Sequence, residues 1–370
     1  RHLAAIETTL VAEGWSGPVE VCVALDGTVR NDGVARYRDL GTDHLRHVES
    51  CAVPPEVICL EVETSSSRIR IAESARIRVR RDGQPVEVER RVDAQPRWVG
   101  QRFTLQLEPG EQTTVEKLVA LYTSLDDGIH EPRLAAETHV TQARDGFDGL
   151  LQQHVLSWNH AWARSRIDVR GSGTHTARVL NLHVLHLLQT VSKNTAEIDA
   201  GVPARGLHGE AYRGHIFWDE LFIFSFLSWR VPELTRALLR YRSRRLDQAR
   251  WAAAEHGYEG AMFPWQSASD GREQTQTMHL NPKSGRWLPD ASHLQRHVNL
   301  AIAFKLAAAH AILAAMVAEF LMGTTGLGYL FAKTKSDFNT EQAFGASAVA
   351  TIIVRVSGIS SVGSSSPTLM

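Results

Sequence analysis

Over most of the first 135 residues, apolar and polar positions alternate with a period of two. Val19, Val21 and Val23 alternate with Glu20 and Cys22 up to a turn at Asp26-Gly27. Between Arg68 and Val79, Ile69, Ile71, Ile77 and Val79 alternate with Arg68, Arg70, Arg76 and Arg78. Asp82-Gly83 reads as a turn, after which Val86, Val88 and Val92 resume the pattern. Phe103, Leu105 and Leu107 give a further strand before Pro109-Gly110. Period two with regular turn residues predicts antiparallel strands. Two-faced alternation over so many strands predicts a sandwich. From residue 136 the spacing becomes helical. Phe147, Leu150, Leu151, Val155 and Trp158 predict a helix within 136–168, and Val179, Leu180, Leu182, Leu185, Leu187 and Leu188 predict another over 174–194. Trp218–Trp229, Pro232–His256 and Leu294–Leu306 fit further helices. After about residue 303 the character changes again. Ala307–Ala318 is apolar and alanine-rich, Glu319–Lys333 reads EFLMGTTGLGYLFAK, Ala343–Val356 is apolar, and the end is rich in serine. These apolar runs are shorter than the ~20 residues that one membrane span needs.

The length, 370 residues, leaves room for two domains. A hydrophobic content of 43% with 22% charged residues suits a globular protein with a sizeable core. The net charge of −1 excludes an electrostatic case for nucleic acid as a partner. The arginines of Arg240–Arg250 read as a solvated basic helix face. Three cysteines (Cys22, Cys51 and Cys59) match no metal spacing and fit a reducing, cytoplasmic compartment. The chain begins with Arg and shows no leader pattern, so its start is expected to lie inside a domain.

The densest chemistry lies in Gly206–Leu227, GLHGEAYRGHIFWDELFIFSFL. Gly206, Gly209 and Gly214 free the backbone for tight turns. Trp218 offers a flat apolar ring beside two carboxylates, Asp219 and Glu220, which is what an array of sugar hydroxyls requires. The polar stretch then passes into apolar Leu221–Leu227, so a binding loop is expected on a packed helix.

This run resembles the signature of glycoside hydrolase family 65, the inverting disaccharide phosphorylases and related hydrolases of α-glucosides such as maltose, trehalose and kojibiose. Two later blocks agree with it: GYEGAMFPWQS at 257–267 and LNPKSGRWLPDASHLQRHVNLAI at 280–302. The resemblance implies an α+β multidomain chain. Its segments would be part of a β-sandwich over 1–135, a helical linker over 136–172 and part of an (α/α)6 catalytic barrel over 173–303. The segment 304–370 is similar instead to the last part of permease subunits of ABC importers, so a truncated barrel fused to an apolar tail is expected, with membrane contact only through that tail. The family implies a disaccharide substrate, inorganic phosphate as co-substrate, no cofactor or metal, and enzymes that are often homodimers.

Inverting cleavage needs a general acid, a nucleophile on the opposite face and groups that orient the sugar. The resemblance assigns only the last. Trp218 would stack on the glucosyl unit and Asp219 would accept its hydroxyls, with Trp265 and Gln266 lining the same pocket; the family often has Glu where Gln266 stands. Arg213 and His215 are read as supporting the loop or the acceptor side. For Asp219 the alternative is a helix N-cap, and for Glu210 an ion pair with Arg213 rather than an acid. The family's acid and phosphate residues lie beyond the matching blocks, so the catalytic residues are unknown. Two readings stay open: an enzyme of this type, impaired by that loss, or a non-catalytic remnant that binds sugar weakly. His293 and His297 are four apart but lack the Glu of a zinc-protease helix. His183 and His186 read as core or edge residues.

Overall fold

The computed structural model describes residues 1–169, 174–206, 209–295 and 298–299. They form two compact units that divide between Ala163 and Arg164. The tail 304–370 and most of the helix expected over Leu294–Leu306 lie outside the described residues.

The first unit is β-rich, as the alternation predicts. Its strands are β1 (Leu3–Val11), β2 (Gly17–Asp26), β3 (Leu45–Val53), β4 (Val57–Thr64), β5 (Arg70–Arg81), β6 (Gln84–Pro85), β7 (Arg91–Gln95), β8 (Trp98–Leu107) and β9 (Gln112–Thr123). One antiparallel sheet runs β1-β9-β5-β4-β3, with β6 on β5; a second runs β2-β8-β7. Ile58, Leu60, Ile77, Val79 and Val115 of the first sheet share one core with Leu25, Val99, Phe103, Leu105 and Leu107 of the second. Full burial of such side chains stabilises by about 1.5–3 kcal/mol each.

The other face of the larger sheet is covered as well. Two helices follow β9, α1 (Pro132–Gln142) and α2 (Phe147–Ser165), where the periodicity predicts one. Val140 and Ala136 of α1 pack with Val57, Cys59 and Ala120. Arg76, one of the alternating polar residues, is 2% exposed. Its Nη1 donates to the carbonyls of Val140 at 2.7 Å and Ala143 at 2.6 Å. These are carbonyls that the end of α1 leaves without helical donors, and a cation there also suits the helix dipole. Buried Glu116 does the converse for α2: its Oε2 accepts from the Phe147 N–H at 2.8 Å. The two charged residues thus mark the break between the helices.

The same covering explains the thiols. Cys51 and Cys59 are register partners on β3 and β4. Burial, then the neighbouring Cys59, pushes the Cys51 thiol up to about 12; burial also raises Cys59, against a hydrogen bond from Ser74. Cys22 is exposed. In native protein near pH 8 one thiol, Cys22, therefore reacts rapidly with an aromatic disulfide reagent, since the thiolate is the nucleophile. All three react after unfolding. Two fast thiols in the native protein would contradict this.

The second unit contains helices α3 (Thr174–Thr190), α4 (Glu220–Arg230), α5 (Pro232–Arg244) and α6 (Leu246–Glu255). Between and after them lie short strands β10 (Ile216–Phe217), β11 (Gln266–Ser267), β12 (Met278–Asn281) and β13 (Arg286–Pro289). β10 pairs with β11, and β12 with β13, both antiparallel. Leu221, Phe224, Leu227, Leu234, Leu238, Leu239, Phe263 and Val298 form the core. Pro232 stands at the first position of α5, where its missing N–H costs nothing. The helix expected over Pro232–His256 is broken at Arg245, whose backbone leaves the helical region. Its guanidinium lies 3.9 Å over the Tyr241 ring and donates to the Ser269 carbonyl. No helix among the described residues is long and apolar enough to cross a membrane, and none of their His, Cys, Asp and Glu side chains cluster as a metal site would require.

Candidate sugar-binding site

Two of the sequence blocks meet through the β10–β11 ladder. Ile216 pairs with Ser267 and Phe217 with Gln266, and the Trp218 N–H donates to the Trp265 carbonyl at 3.3 Å. This juxtaposition brings the two candidate tryptophans together. Their ring centroids are 5.3 Å apart with planes at 38°. Phe217 meets Trp265 edge-on at 5.0 Å, and Phe222 packs on Trp218 at 5.1 Å. Such offset aromatic contacts fix ring orientation.

Asp219 sits at the N-cap position of α4 without capping it: its side chain accepts no bond from the helix N-terminus. Its carboxylate has no hydrogen-bond or ion-pair partner among the described residues. It is half-buried, and burial raises its carboxyl above the ordinary value. The cap alternative is thereby set aside.

Glu220, read as a second acceptor beside Trp218, is turned inward. It is 3% exposed. Its Oε1 accepts from Arg242 Nε at 3.0 Å and its Oε2 from the Val202 N–H at 3.2 Å. Burial raises its carboxyl and Arg242 opposes the rise. Gly201 makes this possible, since a Cβ there would lie 2.8 Å from Glu220 Oε2 and 2.5 Å from Ile216 Cγ2. Arg242 also reaches the Phe217 carbonyl at 3.4 Å. Its neighbour Tyr241 bonds the Ser267 hydroxyl at 2.8 Å and the Ala268 carbonyl. Consecutive residues of α5 thus hold one strand each of the β10–β11 pair. The arginine-rich run is therefore not simply a solvated face, because Arg242 is 1% exposed.

Gln266 is buried. Its Nε2 lies 2.7 Å from His215 Nδ1 and 3.2 Å from the Tyr212 carbonyl. Burial, then the charge of Arg213, pushes the His215 pKa down to about 4 against Asp270. Arg213 is exposed, and its Nη2 donates to the Gln274 carbonyl at 2.7 Å. Tyr212 and Arg213 both have left-handed backbones, at φ 60° and 57°, followed by Gly214 at 66°. Two consecutive non-glycine residues in that region carry strain that surrounding contacts must hold.

Glu273 was not singled out by the sequence. Its Oε2 accepts from the Trp265 N–H at 2.7 Å. Its Oε1 accepts from the Gln266 N–H at 3.2 Å and from Thr275. No spacing rule flags it, because the bonds close a loop. Arg242 did leave a signal: it lies four residues after Leu238 on the apolar stripe of α5, where a lone charge needs a buried partner. His183 and His186 are exposed on α3. His297 lies outside the described residues.

The family model "Glycosyl hydrolase family 65, N-terminal domain" matches residues 1–161. "Glycosyl hydrolase family 65 central catalytic domain" matches 181–334, so the match continues past residue 303, where the quoted blocks stop. An uncharacterized glycosyl hydrolase of Mycobacterium tuberculosis is 46% identical over 303 residues, 82% of this chain and 23% of the relative. A kojibiose phosphorylase of Caldanaerobacter subterraneus subsp. tengcongensis is 30% identical over 314 residues, 82% of this chain and 40% of the relative. A trehalose 6-phosphate phosphorylase of Lactococcus lactis is 30% identical over 287 residues, 76% of this chain and 35% of the relative. The chain thus spans less than half the length of each. Among solved structures, a candidate kojibiose phosphorylase from human microbiome shares the fold, with a TM-score of 0.63 at 20% identity over 74% of this chain and 34% of that one.

Proposed function

The chain belongs to glycosyl hydrolase family 65 through its N-terminal and central catalytic domains, and on that premise we propose that its second unit binds the glucosyl part of an α-linked disaccharide. Trp218 stacks on the sugar ring, Asp219 accepts its hydroxyls, and Trp265 lines the neighbouring subsite. The observation that carries the reading is Asp219: a half-buried carboxylate, uncommitted among the described residues, beside a braced aromatic pair. Such a group is costly to keep desolvated without a ligand, and sugar hydroxyls are donors suited to it. The reaction proposed is inverting phosphorolysis, with inorganic phosphate as co-substrate.

A second reading, sugar binding without turnover, has its own support. Two other carboxylates near the tryptophans, Glu220 and Glu273, are spent on Arg242 and on backbone N–H groups. We assign no general acid among the described residues, and loss of such an acid lowers a rate about 10²–10⁴-fold. The test is phosphate-dependent glucose 1-phosphate release from kojibiose, trehalose and maltose by the folded chain, beside a Trp218→Ala/Asp219→Ala control. Release above the control establishes phosphorolysis and ends the binding-only reading. Sugar binding without release supports that reading. Absence of both in cooperatively folded protein overturns the sugar site itself.

A further inference from the structure

Gln266 fixes the tautomer of His215. One terminal atom of its carboxamide lies 3.2 Å from the Tyr212 carbonyl oxygen and 2.7 Å from His215 Nδ1. A carbonyl oxygen only accepts, so the amide atom facing it is the nitrogen; the flipped amide would set its own oxygen against the Tyr212 carbonyl oxygen. With nitrogen there, its second proton serves His215 Nδ1, which must accept. A neutral imidazole that accepts at Nδ1 carries its proton on Nε2. Protonation of Nδ1 would set two donors against each other, so the same contact opposes the imidazolium. Arg213 and Asp270 are the charged groups that act on the ring, and Arg213 outweighs Asp270 in the same sense. Among the described residues Nε2 has no partner, and the ring is half-buried.

Resting on the α-glucoside reading of this site, we propose that His215 is a neutral donor whose Nε2–H bonds a hydroxyl oxygen of the bound sugar, and that Gln266 is the positioning residue that aims it. Both amide protons of Gln266 are then spent within the protein, which leaves only its Oε1, an acceptor, to meet a sugar hydroxyl. Asp219 can only accept and His215 Nε2 can only donate, so the site would read a hydroxyl array in both senses. The left-handed tract Tyr212–Gly214 has a purpose in this arrangement: it turns the Tyr212 carbonyl back toward Gln266. The residue at 266 also selects the donor. A carboxylate there can only accept, which forces Nδ1 to donate.

The test is a long-range proton–nitrogen spectrum of the full chain labelled in its histidines, with His215 assigned through His215→Gln. The expected result is a protonated Nε2 and a bare Nδ1 that do not titrate between about pH 5.5 and 8. Gln266→Glu is expected to turn Nδ1 into the protonated nitrogen and bring His215 into titration in that range. A wild-type ring with Nδ1 protonated, or one that titrates there, overturns the proposal. Kojibiose, maltose and trehalose are then added while tryptophan fluorescence is followed. A shift of the His215 Nε2 resonance at saturation is expected, with His215→Leu binding about 3- to 10-fold more weakly than wild type. His215→Gln, which retains a donor, should recover part of that loss. A fluorescence response with His215 unmoved overturns the contact while the glucoside reading stands. No response from either overturns both.

Discussion

Replacing Arg242 with Met destabilises the second unit by about 3–5 kcal/mol, the usual cost of leaving a buried ion without its partner. Arg242 and Glu220 are 1% and 0% exposed in their side chains and 3.0 Å apart. Met preserves most of the packing, so the loss reports the stranded Glu220 carboxylate and the vacated Phe217 carbonyl. The effect has a definite pH dependence. Burial already raises the folded-state pKa of Glu220, and Arg242 is the group that opposes the rise. Without Arg242 the folded value rises further above the unfolded one. An acid in that position favours the folded state while both forms are protonated. Stability is then lost as pH rises from the unfolded pKa to the folded one. The variant should be least impaired in mild acid and worst above neutrality. Denaturant unfolding followed by tryptophan fluorescence at several pH values measures this. Glu220→Gln added to Arg242→Met should recover most of the loss, since no buried charge is left. A single-variant cost below about 1 kcal/mol would mean that water or another group replaces the guanidinium.

What the sequence made legible was set by periodicity and by local chemistry. The strands of the first unit could be read because a half-buried sheet repeats every two residues, and Phe103, Leu105 and Leu107 are buried as that pattern requires. Arg76 could not be read. It alternates like its neighbours Arg70 and Arg78, and only the helix laid over that face distinguishes it. The break of the long helix at Arg245 was invisible for a related reason. No proline or glycine marks it, and the residue leaves helical geometry while bonded to Ser269, which is distant in sequence.

The candidate site divides the same way. Trp218 and Trp265 stand out in the sequence, and a two-residue ladder brings them together. Asp219 and Glu220 are adjacent and chemically alike, yet one faces the site and the other the core. On a helix they point about 100° apart, so their roles diverge by geometry that composition does not encode. Glu273 and the tautomer of His215 depend on bonds between loops and had no local signature.

Asp219→Asn weakens binding of kojibiose by about 10- to 100-fold, because hydrogen bonds to a charged acceptor contribute roughly 1.5–3 kcal/mol. Trp218→Ala should lose at least as much as a single neutral hydrogen bond, since it removes the stacking face and unsettles Trp265. Titration of intrinsic fluorescence measures the first variant, and calorimetry, which needs no tryptophan reporter, the second. Asp219 must be ionised to accept two donors, and burial raises its pKa. Wild-type binding should therefore weaken in mild acid, starting above the ordinary carboxylate range, whereas the Asn variant should show no such decline. Stability separates this from damage to the fold. The Asp219 side chain caps nothing, and its raised pKa means that the folded state disfavours its charge. Asn at this position should leave the unfolding midpoint unchanged or slightly higher at neutral pH. A carboxylate retained at a net cost to folding is what a binding site carries and a helix cap does not. Wild-type affinity in the Asn variant would remove Asp219 from the sugar site, and a marked fall in stability would return it to a structural role.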